Sequence, residues 1–547
     1  MTTESDAAAP EPLIEVRDLV IEYGGAAAPV RAVDGISFAV APGETVAIVG
    51  ESGSGKTTAA SAVIGLLPSA ARIVSGAVLI DGEDVTRARE RVRRRYRGST
   101  IGLVPQDPLV SLNPTTPVGK QIGEVLIRRH GRRHPSLSAD VLELLEQVGL
   151  DDPVARARQY PHQLSGGQRQ RVLIAIALAG SPRLIIADEP TSALDVTVQR
   201  RILDHLERLT AERGISLLII THDLGVAADR ADRVLVMRDG RIVEQGAPRD
   251  ILVSPQAGYT RELIAAAPAL GEHGQLVARH RQVPPAGELL RIDAVTKRFA
   301  LPAGSRSREL TALEDVSLSA RSGQTLAIVG ESGSGKTTLL RIALGLEQPT
   351  EGHVLFGGTR VDHRSWGELK PLRTRVQLVQ QNPYSSLDPR HPIGRSIAEP
   401  LAGARVPAAR RRQRVHELLD LVHLPADFIG RLPRELSGGQ RQRVAIARAL
   451  AVDPELVFLD EPVSALDVSI QARILELLAD LQERLGVGYV FVSHDLAVVA
   501  QVAHEVAVLR RGRLVEFGSA AAILEDPAEE YTRELIDAVP GRRVRAR

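Results

Sequence analysis

The chain has 547 residues, 44% of them hydrophobic and 25% charged, a globular composition with more length than one ordinary core uses. Its 68 Lys and Arg against 67 Asp and Glu leave a net charge of +1, so bulk electrostatics lend no support to nucleic-acid binding. The sequence holds no cysteine, which excludes disulfides, cysteine-ligated zinc and iron–sulfur clusters and agrees with a reducing compartment.

Met1 to Pro12 is acidic and polar, without the basic start and apolar middle of a signal peptide, and none is expected. No run of about 18 uncharged apolar residues occurs, so no membrane span is predicted, and a partner would have to hold the protein at any membrane. Glu15 to Tyr23 alternates as a strand does. Thr45 to Val49 reads as a short buried strand feeding Gly50-Glu51-Ser52-Gly53-Ser54-Gly55-Lys56-Thr57-Thr58. A mostly helical insert is predicted between Gln106 and Leu164, with the basic run Arg128 to His134 read as a solvated loop. Leu184 to Ala187 reads as an apolar strand ending at Asp188 and Glu189, and Ile215 to Ile220 as one ending just before His222.

Then the pattern starts again. Arg291 to Phe299 and Thr325 to Val329 read as strands, the second feeding Gly330-Glu331-Ser332-Gly333-Ser334-Gly335-Lys336-Thr337-Thr338. Gln381 to Leu436 is the second helical insert, Leu456 to Leu459 leads to Asp460 and Glu461, and Val487 to Val492 leads to His494. LSGGQRQRV begins at Leu164 and at Leu436, and YTRELI at Tyr259 and at Tyr531, each pair 272 residues apart. The glycine loops are 280 apart, which places a difference of a few residues in the helical regions. A repeat on this scale means two copies of one domain, 13–268 and 289–540. Residues 269–288, rich in Gly, Pro, His and Arg, read as a linker with a reach of roughly 25 Å. Strands alternating with helices predict a largely parallel sheet in an α/β fold.

Both glycine loops match the phosphate-binding pattern G-x4-G-K-[ST] between a strand and a helix. Their backbone N–H groups can wrap phosphates, Lys56 and Lys336 put a charge on the β and γ positions, and Thr57 and Thr337 offer hydroxyls to Mg²⁺. Asp188 and Asp460 are expected to hold Mg²⁺ through water, and Glu189 and Glu461 to polarise the attacking water. Only five lysines occur in the chain, and two of them stand in these loops.

Leu164-Ser165-Gly166-Gly167-Gln168 and Leu436-Ser437-Gly438-Gly439-Gln440 make the sequence resemble the ATP-binding-cassette family over nearly its whole length. That resemblance implies two tandem P-loop NTPase domains of α/β class. Each would have a RecA-like core, an antiparallel β subdomain and a helical subdomain. It implies that Ser165 and Ser437, which are also plausible helix N-caps, contact the γ phosphate bound to the opposite domain. The Gly50 loop would then pair with Ser437 and the Gly330 loop with Ser165. By the same resemblance Gln106 and Gln381 sense Mg²⁺ and the attacking water. Ser192-Ala193-Leu194-Asp195 and Ser464-Ala465-Leu466-Asp467 couple the two sites. His222 and His494 fix the γ phosphate, and Tyr23 and Phe299 stack on adenine. Every element is present twice, so two competent ATP sites are expected.

QDPLVSLNP from Gln106, QNPYSSLDP from Gln381, and the endings YTRELIAAAP and YTRELIDAVP resemble the dipeptide, oligopeptide and nickel importer branch, with its fused glutathione-type members. The implied partners are two transmembrane permease subunits and, indirectly, an extracytoplasmic solute-binding protein, with the chain on the cytoplasmic face of the membrane. The chain departs from that branch in having no cysteine for the iron–sulfur site of some members. It also has Leu432-Pro433-Arg434 where the first copy has Tyr160-Pro161-His162. The alternative is a soluble tandem cassette acting on ribosomes or DNA. The short, non-helical linker, both histidines and the missing zinc cysteines speak against it. The terminal GRRVRAR is read as solvated or touching anionic lipid.

Overall fold

The computed structural model describes residues 11–24, 29–130, 136–191, 194–267, 287–300, 309–365, 367–382, 386–464 and 466–541. Residues 269–286 of the expected linker 269–288, Ser192, Ala193, Ala465, residues 131–134 of the basic run and 542–547 of the terminal run lie outside them, and Glu288, placed in the linker, instead opens a strand. The described residues up to 272, apart from 195–197, form one compact unit together with 540 and 541, and the other described residues form the second.

The first unit holds two sheets. Val30–Val40, Ile14–Tyr23, Ala71–Ile80 and Glu83–Asp84 form an antiparallel sheet in that order. Along Ile14–Tyr23 buried and half-exposed positions alternate, as a sheet with one covered face requires. The second sheet runs Arg241–Gly246, Arg233–Arg238, Thr45–Val49, Ser216–Thr221, Leu184–Asp188, Ile101–Val104. All its pairings are parallel except the first. Its central strands are almost wholly buried, because helices cover one face and the antiparallel sheet with the helix Lys56–Ile64 covers the other.

The second unit repeats this plan. Glu309–Arg321, Glu288–Ala300, Glu351–Phe356 and Thr359–Arg360 form its antiparallel sheet. Val376–Val379, Leu456–Asp460, Gly488–Ser493, Thr325–Val329, Glu505–Arg510 and Arg513–Ser519 form its mostly parallel one. Each unit is thus a RecA-like α/β core with an antiparallel β subdomain and a helical subdomain. The predicted strands fall within a few residues of those observed, the spread usual at element ends.

The inserts are helical as the sequence suggests, through Val118–His130, Leu137–Gln147 and Pro153–Arg158 in the first unit and Ile393–Gly403 and Ala408–Leu421 in the second. Two expectations need correction. Arg128, Arg129 and His130 are not loop residues but the exposed last turn of Val118–His130, where cations meet the negative end of the helix dipole. Nor is the length difference between the copies confined to the helical regions. The offset has already fallen to 276 at the strand ends Ile80 and Phe356, because Ala71–Ile80 has 10 residues and Glu351–Phe356 only 6.

Candidate functional site

Strand order lines up the candidate residues of each unit. Val49 is in register with Thr221, and Asp188 with Ile220, so these strands end side by side. Gly50, His222, Glu189 and, two residues past Val104, Gln106 therefore stand in a row along the carboxyl edge of the sheet. That edge is where open α/β sheets bind ligands. Gly330, His494, Glu461 and Gln381 form the matching row in the second unit.

The glycine loop begins where only glycine fits. Gly50 has φ of 154°, and a Cβ there would lie 2.1 Å from the Met237 carbonyl oxygen; at Gly330 the corresponding distance to Leu509 is 2.2 Å. The loop ends at left-handed Gly55 and Gly335, which open the helices Lys56–Ile64 and Lys336–Ala343 without a side-chain cap. A helix start without a side-chain cap, at the positive end of the helix dipole, favours an anion. Lys56 and Lys336 are 5% and 6% exposed. Lys56 Nζ donates to the carbonyls of Gly50 at 2.7 Å and Glu51 at 2.8 Å, and Lys336 Nζ to those of Gly330 at 2.7 Å and Glu331 at 2.9 Å. Burial pushes the pKa of the Lys336 ammonium down. Among the described residues, the hydroxyls of Ser54 and Ser334 are buried without a protein partner, as polar groups waiting for a ligand would be.

The acid pair is tuned in opposite directions. Asp188 is 8% exposed, and burial raises its pKa, assisted by the neighbouring Glu189 and opposed by a 3.2 Å hydrogen bond from Thr57 Oγ1. Burial and Glu461 raise Asp460 likewise. For Glu189 burial also acts upward, but His222, Lys56 and Gln106 outweigh it and hold the carboxyl below its ordinary value. Gln106 Nε2 donates to Glu189 Oε2 at 2.7 Å, and His222 Nδ1 lies 3.1 Å from Oε1. In the second unit Gln381 Nε2 donates to Glu461 Oε2 at 2.8 Å, and His494 Nδ1 lies 3.1 Å from Oε1. Glu461 is lowered in the same way, and against the effect of burial His494 is raised by its bond to Glu461. The sequence offered no hint that both glutamates sit in the left-handed region at φ 44°. The strained backbone is anchored by hydrogen bonds from Glu189 N–H to Ile220 at 2.8 Å and from Glu461 N–H to Val492 at 3.0 Å.

Other candidates lie at the margin. Tyr23 ends its strand with its hydroxyl 3.3 Å from that of Thr58, whereas Phe299 has Lys297 Nζ 4.8 Å from its ring centroid. Ser165 caps the helix Gly166–Ala179 by a capping box with Gln168, and Ser437 caps Gly438–Leu450 with Gln440. Among the described residues, Ser165 makes no hydrogen bond to the glycine loop of its own unit. Asp195 accepts from the Thr197 hydroxyl at 2.9 Å, and Asp467 precedes the helix Val468–Leu485. The sequence flagged YTRELI as repeated without placing it near the loops. The structure puts the Tyr259 hydroxyl on Glu51 N–H at 3.0 Å and that of Tyr531 on Glu331 N–H at 3.3 Å.

The hydroxyls of Thr57 and Thr337, the carboxylates of Asp188 and Asp460 and the amides of Gln106 and Gln381 supply hard oxygen donors of the kind Mg²⁺ prefers. With the open helix ends and buried lysines, the edge of each sheet fits a nucleotide triphosphate with its cation.

Comparison with known proteins agrees with this geometry. The family described as ABC transporter matches residues 33–192 and again 313–464, more than half of the chain. The chain belongs to the ABC transporter family. Its two ABC cassettes are therefore ATP-binding and ATP-hydrolysing domains of a transporter. A second family, the oligopeptide/dipeptide transporter C-terminal region, matches 243–300 and 515–547, so each ABC cassette carries that extension. The peptidoglycan transport ATP-binding protein YejF of Agrobacterium fabrum is 45% identical over 96% of both chains. The glutathione import ATP-binding protein GsiA of Salmonella typhimurium is 42% identical over 96% of this chain and 89% of its own. The oligopeptide transport ATP-binding protein OppD of Mycobacterium tuberculosis is 42% identical over 97% and 98%. Among the described residues no helix of the ABC cassettes is long and apolar enough to cross a membrane.

Proposed function

We propose that this chain is the ATP-hydrolysing motor of an importer for di- or oligopeptides or a related small solute, with 13–268 and 289–540 as its cassettes and 269–288 as their linker. One observation carries the reading of two competent sites: the glutamine, glutamate and histidine stand at matching distances in both units. The C-terminal extensions and relatives named for oligopeptide, glutathione and peptidoglycan transport support the cargo class.

In each site the loop amides and Lys56 or Lys336 bind the phosphates. Mg²⁺ arriving with the nucleotide would neutralise phosphate charge, held by Thr57, Asp188 and Gln106, or by Thr337, Asp460 and Gln381. Glu189 or Glu461 orients a water and takes its proton as the water oxygen bonds to the γ phosphorus. The bond to the bridging oxygen breaks, and ADP leaves with that oxygen. His222 or His494 holds the glutamate and meets the γ phosphate. Tyr23 and Phe299 stack on the base. Ser437 completes the Gly50 site and Ser165 the Gly330 site, with Asp195 and Asp467 coupling the two. The motor works from the cytoplasmic face on two permease subunits, served by an extracytoplasmic solute-binding protein, with no iron–sulfur cluster and no nucleic acid.

The test is purification from native membranes and uptake of labelled dipeptides by vesicles holding the complex. A permease pair that copurifies and ATP-dependent uptake support the motor; copurifying ribosomes and no uptake overturn it. Reciprocity is tested with site two silenced by Glu461→Gln. Ser437→Arg should then abolish the remaining turnover and Ser165→Arg should not.

A further inference from the structure

The ATP chemistry leaves unused a repeated segment, YTRELI, that reaches the glycine loops from far along the chain. Tyr259 and Tyr531 stand at the start of the helices Gly258–Ala266 and Glu530–Asp537, and they are 5% and 3% exposed. Their hydroxyls accept the N–H of Glu51 and of Glu331. That N–H shares a planar trans peptide with the carbonyl of Gly50 or Gly330, so the two groups point in opposite directions. The carbonyl is the one that receives Lys56 Nζ or Lys336 Nζ at 2.7 Å.

We propose that Tyr259 and Tyr531 are positioning residues for ATP: each hydroxyl pins the first peptide of a glycine loop and so aims its carbonyl at the phosphate-binding lysine. Without the hydroxyl that peptide can rotate, the lysine loses a fixed acceptor, and the loop must be ordered at the moment of binding. The cost falls on nucleotide affinity, as loss of preorganisation does.

Each tyrosine is itself built in. Arg238 lies over the Tyr259 ring at 4.7 Å and Arg510 over the Tyr531 ring at 4.3 Å. Glu244 accepts the N–H groups of Gln256 at 2.7 Å and Ala257 at 3.1 Å, just before the first helix; Glu516 accepts those of Ala528 at 2.8 Å and Glu529 at 3.3 Å before the second. Arg261 and Arg533, also in YTRELI, tie the same turns through the carbonyls of Pro255 and Pro527 at 3.2 and 3.0 Å. Burial pushes the Tyr531 hydroxyl up to about 12, so it stays neutral at any working pH. Two independent copies of the sequence thus fold into the same brace.

The inference rests on reading the loops as phosphate cradles, and the test separates the two. In the full chain, Tyr259→Phe with Tyr531→Phe keeps both rings and removes both hydroxyls. KM for ATP is expected to rise about three- to tenfold with kcat within about twofold, and the melting temperature without nucleotide to stay within about 2 °C. Lys56→Ala with Lys336→Ala is expected to bind no ATP; binding at the parent's affinity would sink the cradle reading whatever the tyrosines do. An unchanged KM in the phenylalanine variant, while the lysine variant binds nothing, overturns the positioning role. So does a fall in melting temperature with kcat lost and KM unmoved. Should the double variant not fold, equilibrium ATP binding by Tyr531→Phe alone decides the question in the same way.

Discussion

The two units agree around the glutamates proposed to activate water and differ at the aromatic residues proposed to stack on the base. Around Glu189 and Glu461 the hydrogen-bond distances match to 0.1 Å, from 2.7 to 2.8 Å for the glutamines and 3.1 Å in both for the histidines. At the aromatic position the first unit has Tyr23 with its hydroxyl on Thr58. The second has Phe299 beneath Lys297, whose ammonium is held by Glu347 at 2.6 Å and the Gln348 carbonyl at 2.8 Å. Proton transfer tolerates little displacement, whereas stacking on a base accepts any flat face of about the right size. On the proposed roles, the matched end would set turnover and the differing end affinity.

The strongest attempt to break this symmetry is at the glutamates. Glu189→Gln and Glu461→Gln should lower steady-state ATP hydrolysis to the same residual level, and the double variant should fall by about 100-fold or more. If one single variant is silent and the other abolishes turnover, the sites are unequal despite their geometry. Next in size is the loop entrance. Gly50→Ala or Gly330→Ala drives a methyl into the Met237 or Leu509 carbonyl, and each should weaken ATP binding at its own site about tenfold or more, as read by nucleotide titration. At the base end the expected effects are smaller and one-sided. In a Lys56→Ala background, where only the second site binds, Lys297→Ala should weaken a fluorescent adenine nucleotide about two- to threefold by freeing the Phe299 ring. Least of all, Tyr23→Phe in a Lys336→Ala background should cost the first site no more than about threefold, making it resemble its neighbour.

Much of this was legible because the relevant residues sit next to strong local signals. Thr45–Val49, Leu184–Asp188 and Ser216–Thr221 are short apolar runs ending at motif residues, and parallel packing converts that adjacency in sequence into adjacency along the sheet edge. What could not be read depends on geometry without a local sequence mark. The left-handed backbone of Glu189 and Glu461 follows from anchorage to the neighbouring strand, and glutamate has no preference that advertises it. Tyr259 meets Glu51 across 208 residues of chain, a contact no periodicity encodes, although the repetition of YTRELI at a fixed offset marked the segment as special. The shortened strand Glu351–Phe356 lies between motifs, where motif offsets do not register a difference in strand length.

The long-range brace also bears on how the protein is made. The Gly50 loop is synthesised 208 residues ahead of the hydroxyl that steadies it, and the Gly330 loop 200 residues ahead of its own. At about 5–20 residues per second this is an interval of roughly 10–40 s. If the hydroxyls set the loop for ATP as proposed, a nascent cassette has its complete glycine motif well before the loop is braced, and firm nucleotide capture waits until the end of the domain has left the ribosome.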